Sequence, residues 1–226
     1  MPRKTRAIKV TDQNKAWNRK SRLTSYRVEE IPINKTILIV CEGQTEELYF
    51  KSFPVLGVRV DAINLEGQSK LKLVETTEMI QTEEKRDEFW CVFDMDVKQG
   101  EAEFSDFDNA IEKAKNLEYQ VAYSNDAFEL WFYLHFEYTD AENHRTFYYQ
   151  ELSKRFELNY QDDGKRYDFC QKVYGILEKH EQSSQAKAIE RARKLYEERS
   201  DLPYHQQNPV TKIFELVEEL NRNLRR

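Results

Sequence analysis

Residues Lys35–Cys41 read KTILIVC, an apolar and β-branched run closed at once by Glu42-Gly43. A run with no polar face has nothing to offer water. It therefore predicts a strand covered on both sides, which is how strands sit in a parallel sheet with helices above and below. Helical spacing starts immediately afterwards: Glu46, Glu47, Leu48, Tyr49, Phe50 and Phe53 run up to Pro54 and predict a short helix over 45–52. Residues 58–65 alternate as a second strand, and Leu71, Val74, Met79 and Ile80 mark the helix that follows. FWCVF at 89–93 is another buried strand. Phe107, Ala110, Ile111, Ala114 and Leu117 share one helical face, and 119–123 supplies a fourth strand. Strand and helix thus alternate from Thr36 to Tyr123, which predicts right-handed βαβ units around a parallel sheet and an α/β class.

From Asp126 onward the pattern is helical. Residues 128–136 are apolar nearly all round, and segments near 147–157, 165–180, 184–198 and 209–223 are amphipathic. For the last of these, Asn208 is the expected cap, Pro209 the first helical residue, and Val210, Ile213, Phe214, Val217 and Leu220 the packed face. Three regions follow: a basic arm at 1–33, an α/β domain at 34–140, and a helical C-terminal region at 141–226 packed on it.

The arm stands out by charge. Residues 1–28 hold nine Lys or Arg against the single acid Asp12, whereas residues 31–226 hold 26 basic against 38 acidic side chains. Such an arm is either a solvated terminus or an anchor on nucleic acid, and Trp17 and Tyr26 favour contact. Val, Ile, Leu and Phe make up about 24% of the 226 residues, above the roughly 20% below which chains tend to stay disordered. No apolar run reaches membrane-spanning length and MPRKTRAIKV lacks a secretory h-region, so a cytoplasmic protein with no membrane partner is expected. Cys41, Cys91 and Cys170 are odd in number and far apart, which suits reduced core thiols.

Composition also removes chemistries. Six glycines at 43, 57, 67, 100, 164 and 175 leave no GxGxxG, no GxxxxGK[ST] and no GxSxG. His135, His144, His180 and His205 never take HxxxH or HxH spacing, so a metal would be held by carboxylates. In an open parallel sheet the ligand site lies outside the carboxyl ends of the strands. There the first strand delivers Glu42 and, one helical turn later, Glu46; the third delivers Asp94-Met95-Asp96. If those strands are neighbours, four carboxylates converge, and such anions cannot all ionise unless a cation or raised pKa values relieve the repulsion; a divalent metal is the economical answer. Oxygen-only ligands select Mg²⁺ or Mn²⁺, which can orient a water and steady the leaving group of a phosphoester.

VCEGQTE after one buried strand and FDMD after a later one resemble the Toprim domain of topoisomerases, bacterial primases and overcoming-lysogenization-defect nucleases. KTILIVCEGQTEELYFKSF together with YSNDAFELWFYLHF further resembles the RloB family of phage-defence and abortive-infection loci. The likeness covers roughly 35–136. It implies a Toprim-like sheet flanked by helices, a metal-dependent nuclease acting on RNA or DNA, and a separately encoded partner ATPase. It also implies that Glu42 is the general acid/base or a metal ligand, that Asp94 and Asp96 hold metal, and that Glu46 serves a possible second ion. The SNxxFExW stretch maps onto Ser124, Asn125, Phe128, Glu129 and Trp131, with Asn125 and Glu129 as site support; Asp126 and Ala127 depart from the usual residues, which commonly include a proline.

Each residue also has a plainer reading. Glu42 could be a strand-end acid, Glu46 a complement to the helix dipole, and Asp94 and Asp96 an Asx turn. Asp126 and Glu129 have capping-box spacing, which favours a structural role. His135 and Trp131 fit a core. Lys70 and Lys98, just past strand ends, could reach a phosphate or simply be solvated. Two other functions compete with the nuclease. A phosphatase or a nucleotidyl or glycosyl transferase can also be built on an apolar strand and DxD, although phosphatases place that strand first. The third is a non-catalytic module sensing metal or a partner.

Overall fold

The computed structural model describes residues 33–66, 68–96 and 101–225. Lys98 and all but the last residue of the expected arm lie outside them. The four expected strands form, as β1 (Lys35–Cys41), β2 (Val58–Asn64), β3 (Glu88–Asp94) and β4 (Gln120–Asn125), with α1 (Gln44–Lys51), α2 (Lys70–Glu83) and α3 (Glu101–Asn116) between them. The sheet order is β2-β1-β3-β4-β5, parallel through the first four strands. The chain leaves β1 for β2 on one side and returns past it to β3 on the other. The crevice between β1 and β3 is therefore the switch point where α/β sheets place their sites.

Alternation along β1 explains both layers. Ile37, Ile39 and Cys41 face one core with Tyr49 and Phe50 of α1, while Leu38 and Val40 face a second core with Phe107, Ala110, Ile111 and Ala114 of α3. On the first face the remaining helices follow: α4 (Glu129–Leu134), α5 (Arg145–Phe156), α6 (Tyr160–Asp163), α7 (Tyr167–Cys170), α8 (Val173–Lys179), α9 (Gln185–Arg199) and α10 (Ile213–Asn221). Tyr49 ties α1 to α4: its hydroxyl accepts from Trp131 Nε1 at 2.9 Å, and its ring meets Phe128 and Phe132 edge-on. Trp131 and His135 are core residues, as expected; the His135 ring bonds the Trp131 carbonyl at 2.9 Å, and burial lowers its pKa to about 4. Cys41, Cys91 and Cys170 are free and buried.

From Asp126 onward the structure departs from the sequence reading in three places. The helix expected over 209–223 begins only at Ile213, because Val210–Thr211 is a fifth strand, β5, antiparallel to β4. It covers the outer edge of β4: Ser124 and Thr211 share a hydroxyl hydrogen bond of 2.9 Å, Lys212 N–H donates to Tyr123 O at 2.8 Å, and Val210 is fully buried. Asn208–Pro209 is a cis peptide, and Lys212 takes the cap position. The segment expected over 165–180 forms two helices, α7 and α8, parted at Gln171-Lys172; ahead of it Gly164 packs against the ring and carbonyl of the buried Tyr160 too closely for a Cβ. The capping box also fails. Phe128 occupies the α4 cap position without a side-chain bond, Asp126 instead accepts the Arg145 N–H at 3.0 Å, and Glu129 is paired elsewhere.

Candidate functional site

Glu42 leaves β1 with its backbone N–H still bonded to Val92 O at 2.9 Å, so the ladder to β3 carries it to the mouth of the crevice. Its Oε2 accepts the Asp94 N–H at 3.2 Å and its Oε1 lies 3.4 Å from Lys70 Nζ. The two strand-end acids of the sequence reading are thus joined directly, by a side chain from one strand and a backbone donor from the other. Lys70 sits at the start of α2, whose first N–H groups are held by Asp106 of α3. Its ammonium is aimed at Glu42.

Glu46 lies in the first turn of α1, buried, with Oε2 against Gly43; a Cβ on Gly43 would stand 2.9 Å from that oxygen. Here the absence of a side chain lets the carboxyl fold over the turn. Burial raises its pKa to about 7; Lys165 and the backbone act the other way, while Glu129 and Glu42 add to the rise. Asp94 is pushed well above the ordinary carboxylate range by burial and then by Glu46, Glu42 and Glu129, with Arg145 opposing. Glu129, from the start of α4, is fully buried. Its Oε1 is paired with Lys165 and receives the Tyr160 hydroxyl at 3.4 Å, while its Oε2 has no hydrogen-bond partner.

The carboxylates that act on one another are therefore Glu42, Glu46, Asp94 and Glu129. Asp96 stands to one side: at φ 47° its N–H donates to Asp126 O at 3.1 Å, and its Oδ1 lies 2.7 Å from Arg145 Nη2. Asn125 supports a neighbouring loop, donating to Tyr204 O and His205 O at 3.3 and 3.0 Å. Lys98 lies outside the described residues.

Two cations were not anticipated from sequence. Arg145, at the start of α5, joins Asp96 and Asp126, and burial against its charge is outweighed by Asp94, Asp126 and Asp96. Lys165, between α6 and α7, is drawn toward the charged form by Glu129, Tyr149 and Glu46 against the cost of burial. Both come from the C-terminal region and neutralise acids at the strand ends, 19 residues separating Arg145 from Asp126 and 36 separating Lys165 from Glu129. No local spacing connects them.

The donor set suits a hard divalent ion: all oxygens, mutually repelling, one of them orphaned in the core. Among the described residues, no group of three or more His, Cys, Asp or Glu side chains is already gathered as a ligand set. In this structure Lys70, Arg145 and Lys165 supply the countercharge. Among the described residues, too, no helix is long and apolar enough to cross a membrane.

Comparison with curated proteins and with solved structures finds no match. A family model does match, RloB-like protein, over residues 37–220, from the middle of β1 to the last turns of α10. That span includes both strand ends, the carboxylates they carry and the two cations from the C-terminal helices, so the chain belongs to the RloB-like protein family.

Proposed function

We propose that the chain is a divalent-metal-dependent nuclease of Toprim type, cleaving phosphodiester bonds of RNA or DNA at the carboxyl ends of β1 and β3. The observation that carries this reading is the crowding of Glu42, Glu46, Asp94 and Glu129 at the switch point, where Asp94 and Glu46 hold protons more tightly than free carboxylates do. Such a site gains most from a cation, and oxygen donors select Mg²⁺ or Mn²⁺. Glu42, Glu46 and Asp94 are the residues that would hold it, with Glu129 as a further carboxylate and Asp96 joining only by giving up Arg145. When bound, the ion supplies charge stabilisation at a phosphoryl oxygen.

The chain's own groups do the rest. Glu42 moves the proton of the attacking water or the leaving oxygen, oriented by the Asp94 N–H on one oxygen and Lys70 on the other. Lys70, Arg145 and Lys165 are the positive groups nearest the site, pairing here with Glu42, with Asp96 and Asp126, and with Glu129. They become free for substrate phosphates once those acids turn to a bound ion. Membership of the RloB-like family supports a setting in phage defence beside a separately encoded ATPase.

The test is Glu42→Gln in the full chain, assayed on RNA and DNA with Mg²⁺ or Mn²⁺. Shape is kept and charge removed, so cleavage should fall by about 10²–10⁴-fold with folding intact. A variant cutting within about threefold of wild type would overturn the assignment, because a phosphatase or transferase built on Asp94 has no such need of Glu42.

A further inference from the structure

The two ends of the sheet are finished differently. At one end β5 is a two-residue strand, too short to template another. At the other, β2 is seven residues long, free of proline, and in unbroken register with β1 from Lys35↔Val58 to Cys41↔Asn64. No described residue pairs with its outer edge.

The backbone shows which groups that edge presents. Gly57 O accepts from Asn34 N–H at 2.8 Å and Leu65 N–H donates to Cys41 O at 2.9 Å, so the odd-numbered residues turn toward β1. Val58, Val60, Ala62 and Asn64 then turn their N–H and C=O groups outward. Between them stand Arg59, exposed, and Asp61, half-buried, on the opposite side of the pleat from Val58 and Val60, joined by an ion pair of 2.9 Å.

This edge is self-complementary about Val60. Laid antiparallel on a second copy with a two-fold axis there, Val60 meets Val60 as a hydrogen-bonded pair, and Val58 meets Ala62 in the same way on either side. Arg59 of each copy then falls opposite Asp61 of the other, in the non-hydrogen-bonded positions where facing side chains stand closest. A shift of one residue would set the outward N–H groups out of step, and a shift of two would separate the charges. We propose that β2 is the seam of a homodimer in which two five-stranded sheets join into one through this pairing. Just before β2 the same edge is already taken, Val55 bridging Leu224 and Leu56 N–H donating to Asn223 O at 2.7 Å, so the seam is confined to residues 58–64.

The test is sedimentation of the full chain with Arg59→Asp, Asp61→Arg, and an equimolar mixture of the two. Wild type should dimerise. Each variant alone places like charges opposite one another twice, so its dimer should weaken at least tenfold; the mixture restores opposite charges at every position and should recover dimers as heterodimers. Circular dichroism separates this from loss of fold, since Asp61 also accepts Arg86. A monomeric wild type, a dimer indifferent to both reversals, or a mixture that stays as weak as its components would each overturn the proposal.

Discussion

Glu46 is where burial and charge conflict most openly. Its folded-state pKa of about 7 lies above the usual carboxylate value, so between those two values the folded chain holds a proton that the unfolded chain has released. Stability is then lost as pH rises through that window, at a cost on the order of 3 kcal/mol once the group is ionised. Glu46→Gln should leave stability near pH 4 almost unchanged and raise it near pH 8 by about that amount. Urea unfolding at the two pH values checks this; an equal effect at both would mean that Glu46 is an ordinary helix-start acid. Glu42, Glu46, Asp94 and Asp96 were readable from sequence because each follows a strand end or the first helical turn beyond it. That Asp96 is engaged by Arg145 while Glu129 joins the cluster was not readable. The backbone turn at 94–96 and the long return of α5 and the α6–α7 loop decide it, and Arg145 and Lys165 carry no spacing signal toward the acids they meet.

At the scale of elements, β1 to β4, α1 and α3 were legible because each carries one dominant period, continuous or alternating in the strands and 3.6 in the helices; α2 was legible with a weaker stripe, Met79 standing exposed. β5 carries none. Two residues cannot show a period, and the Asn208-Pro209 pair ahead of them imitates a helix start. What places β5 is tertiary: the open edge of β4 needs partners for its backbone, and Val210 fills the core beside Phe107 and Tyr123. The strand therefore fastens the C-terminal helices to the sheet. Val210→Ala should cost roughly 1–3 kcal/mol, read as a lowered urea midpoint with unchanged m-value. A loss under a few tenths of a kcal/mol would mean that the strand merely lies on the edge. The break between α7 and α8 falls at Gln171-Lys172, where no glycine or proline marks it in the sequence.

For the whole molecule, alternation of strand and helix was enough to give the sheet, and the order of strands gave the crevice. Among the described residues, β5 and the helices that follow residue 140 are built onto the sheet and its first core. The acidic body and basic N-terminal residues suggest a division of labour between chemistry and affinity. Deleting 1–28 removes nine basic residues and should weaken nucleic-acid binding and flatten its salt dependence, by about 0.9 in log–log slope per lost duplex phosphate contact. Cleavage at saturating substrate should persist; unchanged affinity and slope would make the segment a solvated tail. The central claim is that the acids at the ends of β1 and β3 are a site for a divalent ion. Crystals grown with Mn²⁺ and measured for anomalous scattering test it most directly. The account expects a peak among Glu42, Glu46 and Asp94, and weakened or absent density there in Asp94→Asn. A wild-type map with no peak at these carboxylates, Glu42 still on Lys70 and Glu129 still on Lys165, would contradict it.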